Sequence, residues 1–217
     1  SHVVPVEQVT AHLGKFDLNT QHESHSKSSA ISEIFIHPDW KPSDLVSFDA
    51  DIAVVVLGEE VEFTPYIRPV CLPPVSFNEV SGSGKVVGWG QSNISIEFFG
   101  SYESVPMQLE IPAVNASHCY TRFHELGSAS SNRMFCAGYD SEGRSVCHGD
   151  SGSGYYAINS LASPVYVAKG IVSAAQTDNL GNCNVNQFSL FTNVGWFVDW
   201  INDKMKETER IKWKEVK

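Results

Sequence analysis

Cys147-His148-Gly149-Asp150-Ser151-Gly152-Ser153-Gly154 sets a serine between glycines, directly after an acidic residue. Glycine lets a backbone turn sharply, because it carries no Cβ to clash. Such a turn exposes the Ser151 hydroxyl and lets the amides of Gly149 and Ser151 point at one spot. Acyl transfer needs that arrangement, a nucleophile beside two donors for a developing oxyanion. The plainer alternative is a glycine-rich turn with an idle serine, since Gly-Ser-Gly runs are common in loops. The eight residues leave both open, and the rest of the chain separates them.

Outward from this loop, short β-branched runs recur between turn residues. They are Ala30–Ile36, Ile52–Leu57, Lys85–Gly90 and Val165–Val172, each bounded by Gly, Pro, Asn, Asp or Ser. Runs of this kind read as strands. Helical periodicity is nearly absent before Trp196, after which Phe197, Trp200, Ile201 and Met205 fall on one helical face. The last dozen residues are rich in Lys and Glu and read as a solvated, fraying extension. No repeat or low-complexity linker interrupts the chain. The pattern predicts an antiparallel β-barrel architecture ending in a helix.

Composition narrows the function. The 217 residues suit one domain or two packed halves, and 42% hydrophobic residues supply a core. The net charge of −10, from 15 basic and 25 acidic side chains, argues against nucleic acid as a partner. No run of about 18 apolar residues predicts a membrane span. The five cysteines, Cys71, Cys119, Cys136, Cys147 and Cys183, contain no CxxC pair. That spacing, with His22, His25, His37, His118 and His124 scattered, argues against a metal site. Dispersed cysteines and the sequons at Asn93 and Asn115 point to a secreted, extracellular protein with both asparagines as glycosylation candidates. The odd count leaves one thiol to pair outside the chain. Trp89 and Trp200 read as core residues.

The segment Val146-Cys147-His148-Gly149-Asp150-Ser151-Gly152 resembles the nucleophile loop of chymotrypsin-like serine proteases, and Asp49-Ala50-Asp51-Ile52-Ala53-Val54-Val55 is similar to that family's triad-aspartate segment. Arg68–Pro73, Gly88-Trp89-Gly90, Gly170–Ser173 and Phe191–Val194 through Ile201 match further blocks in the right order. The resemblance implies an all-β fold of two antiparallel six-stranded barrels with a C-terminal helix, the N-terminal barrel incomplete here. It implies a peptidase domain over residues 1–203 and an extension over 204–217. Ser151 is then the nucleophile, Asp51 the carboxylate that orients the catalytic imidazole, and Gly149 and Ser151 the oxyanion-hole donors. Ser173 resembles the serine that hydrogen-bonds that aspartate. Asp150 resembles the carboxylate that pairs with a new N-terminal ammonium after activation cleavage. Ser145, Ser173, Ala175 and Ser189 occupy the substrate-pocket positions. The resemblance pairs Cys119 with Cys136 and Cys147 with Cys183, and bridges Cys71 to a light chain or regulatory module. A further family bridge joins positions matching Gly84 and Ala157, and both of its cysteines are missing. No cofactor is implied. Some members bind calcium near Asp17–Glu33, but carboxylates are too sparse there to claim it.

The pattern departs in two places. Family members carry a small-small-His-Cys segment ahead of Leu13–Leu18, and the chain begins too late for it, so the base is expected upstream. His2 and His12 are the alternatives within the chain, although Leu13 follows His12 where cysteine belongs. Without a base Ser151 keeps an ordinary hydroxyl, and this chain alone is expected to be inactive and poorly stable. The pocket also differs. Ser145, six positions before Ser151, stands where trypsin-like members carry aspartate, which favours cleavage after apolar or aromatic residues. Ala174-Ala175 replaces Trp-Gly, and Ser153-Gly154 replaces Gly-Pro. The segment Gly170–Cys183 looks somewhat like insect modular serine proteases of immune cascades. A secreted endopeptidase cutting protein or peptide substrates is favoured by Asp51, Asp150 and Ser151. A catalytically inactive homologue acting as a cofactor or scaffold is favoured by Ala174-Ala175 and Ser153.

Overall fold

Along strand β4 (Ser83–Gly88) burial alternates, with Gly84, Val86 and Gly88 inside and Ser83 and Val87 outside. That period of two defines one face of a closed barrel. The computed structural model describes residues 4–41, 48–75, 79–91, 102–122, 131–159, 164–178 and 181–215. In it β4 pairs antiparallel with β5 (Met107–Val114), followed around the barrel by β6 (Met134–Ala137), β9 (Ser189–Asn193), β8 (Tyr166–Ala174) and β7 (Gly154–Ile158), which closes on β4. All five residues of β9 are buried, so both faces of this barrel strand are covered. The N-terminal half contributes an antiparallel sheet of β1 (Thr10–Leu13), β2 (Lys27–Ile36) and β3 (Ala53–Leu57).

The barrel core gathers Val86, Ile111, Ala137, Val146, Tyr155, Ala157, Val172 and Phe191. Tyr155 is fully buried at its centre, with ring contacts to Phe135 at 5.3 Å and Phe191 at 5.4 Å. Its hydroxyl donates to the Ile111 carbonyl at 3.1 Å, and burial pushes its pKa up to about 12. A Cβ on Gly84 would run into this ring. The tyrosine therefore packs against the position where the family resemblance implies half of a missing disulfide. Gly84→Ala is expected to destabilise the fold by about 1–3 kcal/mol, since the ring is wedged and cannot yield. A lowered urea midpoint at unchanged m-value checks this.

Both bridges implied by the resemblance are present. Cys119–Cys136 ties helix α1 (Ala116–Arg122) to β6, and Cys147–Cys183 ties the Ser151 loop to the approach to β9. Sequence separations of 17 and 36 residues correspond to roughly 3 and 4 kcal/mol of restricted unfolded chain in the loop-entropy account. Cys71 is free and exposed, and its carbonyl accepts the Ala168 amide at 2.9 Å.

Three expectations about helices and the tail are corrected. The seven-residue α1 breaks the stretch read as lacking helix; it is too short to show periodicity and is capped by Asn115. The final helix α2 (Val198–Glu215) follows a 3-10 turn at Val194–Phe197 and continues through the stretch read as fraying. Lys and Glu are strong helix formers, which helps carry it on. Met205 is 54% exposed while Phe197 is 1% exposed, so Met205 leaves the buried stripe. Trp89 is half-buried and donates Nε1 to the Phe16 carbonyl at 3.1 Å.

The two halves meet where Ala50 and Ile52 pack on Phe197, flanked by Ile171, Trp200 and Ile201. Beside this seam Arg133 hydrogen-bonds Asp39 and Asp49. His37 lies against Phe197 and Trp200, and burial is the main cause of its lowered pKa. In the loop after β1, the Lys15 ammonium pairs with Glu23 at 3.3 Å. The same carboxylate accepts the amides of Asp17 and Phe16, which hold its pKa below the ordinary value. No described helix is long and apolar enough to cross a membrane.

Candidate active site

Gly149 has φ +90° and Gly152 φ +85°, in the left-handed region that side chains resist. A Cβ on Gly149 would also meet the Tyr102 ring at 2.6 Å. Around these glycines the chain folds into successive turns, Asp150 amide to Cys147 carbonyl at 3.0 Å and Ser153 amide to Asp150 carbonyl at 2.9 Å. The loop is pinned to β8 by Gly152 N–H to Val172 O at 2.9 Å and Val172 N–H to Ser153 O at 2.8 Å. Ser151 is left exposed at the tip. Among the described residues, neither the Gly149 nor the Ser151 amide donates to a protein acceptor. An exposed hydroxyl beside two amides without a protein acceptor is an arrangement that can support acyl transfer once a base activates the hydroxyl.

The Asp150 carboxylate turns inward from the same loop. Oδ1 accepts the Gly90 amide and Oδ2 the Cys147 amide, each at 3.0 Å. Gly88 and Gly90 must lack side chains, because a Cβ on either would collide with this carboxylate. Asp150 and Ser145 both line a cavity of about 310 Å³ that also includes Gln91 and Met107.

Asp51 is presented by a strained turn. Ala50, fully buried, has φ +56°, and the Ile52 amide reaches back to its carbonyl at 2.8 Å. The Thr192 hydroxyl on β9 holds the Asp51 carbonyl at 2.8 Å. The Ser173 hydroxyl on β8 donates to Asp51 Oδ2 at 2.7 Å. The β8–β9 register shifts between Val172 and Ala174, and this bulge re-aims Ser173. Burial raises the Asp51 pKa, and the Ser173 hydrogen bond offsets only part of that. A carboxylate in this state gains from a cation placed beside it.

Asp51 and Ser151 line one cavity of about 490 Å³, shared with Trp40 and Ile52 from the N-terminal half and Ile171 and Val172 from the barrel. Of the remaining pocket positions, Ser145 and Ser189 come together, hydroxyl to hydroxyl at 2.9 Å, with Ser189 1% exposed. Ala175 packs against the barrel core.

His12 does not reach this cavity. It lies on β1 opposite Ser28 and bonds the Ser28 hydroxyl through Nδ1 at 2.8 Å, so its ring is committed across the strand pair. His2, Asn93 and His124 lie outside the described residues. Asn115 is exposed, and its side-chain oxygen accepts from the Ser117 amide at 2.9 Å. Among the described residues, no three His, Cys, Asp or Glu side chains gather as a metal site would need. The sequence reading missed Ala50, Thr192 and Arg133, whose parts depend on contacts distant in sequence.

The family model described as Trypsin matches residues 1–201. The chain is 33% identical to "Serine protease gd" of Drosophila melanogaster, over 89% of its own length and 41% of that protein. It is 33% identical to "Phenoloxidase-activating factor 1" of Holotrichia diomphalia, over 81% of the chain and 45% of that protein. With "Clotting factor C" of Tachypleus tridentatus the figures are 30%, 92% and 19%. The chain thus spans less than half the length of each relative.

Proposed function

Because the chain belongs to the trypsin family of serine proteases, we propose that it carries the nucleophile and carboxylate of an endopeptidase that cleaves peptide bonds through an acyl-enzyme on Ser151. The observation that carries this reading is the cavity lined by both Asp51 and Ser151. In the mechanism, an imidazole facing both groups takes the Ser151 proton as the hydroxyl oxygen attacks the peptide carbonyl carbon. Asp51 orients that imidazole and stabilises its protonated form. Burial raises the Asp51 pKa and the Ser173 hydrogen bond offsets only part of it, so an imidazolium beside Asp51 would favour its charged form. The Gly149 and Ser151 amides receive the tetrahedral oxyanion. His12 is occupied by Ser28, so the species to assay is the activated full-length protein.

The same reading assigns Asp150 to activation. Its inward carboxylate borders a cavity that suits a newly made N-terminal ammonium. Ser145 and Ser189, hydroxyl to hydroxyl, give the substrate pocket a neutral base, with Ser173 and Ala175 at its other positions, which favours an apolar residue over Arg or Lys before the cut bond. Exposed Cys71 is the attachment point for a light chain or regulatory module, in a secreted protein that acts on protein substrates within a proteolytic cascade. Residues 1–203 form the peptidase domain, with 204–217 as a charged C-terminal extension.

Hydrolysis of peptide amides by the activated full-length protein tests the proposal. Turnover with apolar residues preferred before the cleaved bond supports it. A correctly processed, folded protein without turnover supports the inactive homologue, a reading that Ala174-Ala175 favours.

A further inference from the structure

Arg133 sits just before β6, yet its guanidinium reaches across to the N-terminal half. Nε donates to Asp49 Oδ1 at 3.0 Å, Nη2 donates to Asp49 Oδ2, and Nη1 donates to Asp39 Oδ2 at 2.7 Å. Ser131 adds its hydroxyl to Asp49 Oδ1 at 2.5 Å. The guanidinium also lies 5.3 Å from the centre of the Phe197 ring, under the seam between the halves. Both oxygens of Asp49 are thus held from the barrel side.

Asp51 lies two residues beyond this clamp. Between them Ala50 is left-handed, a conformation that alanine does not hold unaided. Such backbone persists where its surroundings over-determine it. Here Asp49 is fixed on one side by Arg133, while Thr192 and Ser173 fix Asp51 on the other. Both anchors refer to the same strand pair. The Arg133 carbonyl accepts the Asn193 amide at 2.9 Å, and Met134 pairs with Thr192.

The geometry points to Arg133 as a positioning residue that, by gripping Asp49, aims Asp51 into the cavity shared with Ser151. This rests on the catalytic reading of Asp51 and Ser151 given above. Arg133 touches no reacting atom and acts only through the turn. The charged or titratable groups facing it are Asp49 and Asp39, with His37 behind Asp39 at 3.9 Å. Burial pushes the Asp49 carboxyl up, but the hydrogen bonds from Arg133 and Ser131 outweigh it and leave the pKa lowered. Among the described residues, the Ser173 hydroxyl bonds the Asp51 carboxylate and the Thr192 hydroxyl bonds its carbonyl, with Ser151 on the same cavity.

The test uses the activated full-length protein, with kinetics referred to folded molecules. Arg133→Met keeps an unbranched stem over Phe197 and removes the fork. It is expected to lower kcat about 10- to 100-fold with KM nearly unchanged, the scale of a misplaced catalytic group. The acid limb of kcat/KM against pH should move to lower pH. An imidazole whose carboxylate is misaimed loses stabilisation of its protonated form, and its pKa falls. Arg133→Lys retains the charge without the two-pronged geometry and should recover only part of kcat. If Arg133→Met does not fold, the isosteric Asp49→Asn should show the same shift of the limb. An active wild type whose variants keep kcat and the acid limb, losing only unfolding midpoint, overturns the inference and makes the clasp purely structural. An inactive wild type overturns the catalytic reading beneath it, and the inference with it.

Discussion

Asp51→Asn is expected to lower kcat for peptide-amide hydrolysis by the activated full-length protein about 10⁴-fold, with KM little changed. The change is nearly isosteric, so the Ser173 hydroxyl and the Thr192 bond to the Asp51 carbonyl can persist. What is lost is an acceptor that fixes one imidazole tautomer and stabilises its charged form. An amide can present its NH₂ instead and hold the ring in the wrong tautomer. The fold should not suffer, since burial already disfavours the charge on Asp51. Steady-state kinetics beside thermal unfolding check both halves of this expectation. A modest loss of kcat would show that the buried carboxylate does not face the base.

Ser151→Ala is expected to have the largest effect, about 10⁶-fold in kcat. Residual hydrolysis of order 10³- to 10⁴-fold over water should remain from the oxyanion donors and binding. Because Ser151 is exposed at the tip of its loop, stability should change by less than about 0.5 kcal/mol. Binding of an uncleaved peptide should also survive. A variant that kept most of its turnover would place the nucleophile elsewhere.

The loop carrying Ser151 was legible in the sequence because its chemistry is local. Gly149 and Gly152 adopt conformations that demand glycine, and demand of that kind leaves a mark in the residue itself. Strand β4, read over Lys85–Gly90 and found at Ser83–Gly88, was legible because β-branched Val86 and Val87 lie between turn residues. The short helix α1 was not, because seven residues held by a cap and a disulfide need no periodic face. The length of α2 was misjudged because Lys and Glu read as solvent-facing, whereas they also propagate helix, helped by pairs such as Lys204 and Glu207. The turn at Ala50 was hidden altogether. An alanine gives no sign of a left-handed backbone, and its two neighbours are held from afar, Asp49 by Arg133 across 84 residues and Asp51 by Thr192 across 141. Thr10-Ala11-His12 resembles the catalytic segment only as a decoy, since Leu13 follows where cysteine belongs, and strand pairing matches His12 to Ser28.

Reaction of the activated full-length protein with a fluorophosphonate, followed by mass spectrometric mapping, addresses the shared cavity of Asp51 and Ser151 most directly. The account predicts a single phosphonyl adduct on Ser151, absent in Ser151→Ala and formed far more slowly in Asp51→Asn. An unlabelled Ser151, or labelling that Asp51→Asn leaves untouched, would contradict it.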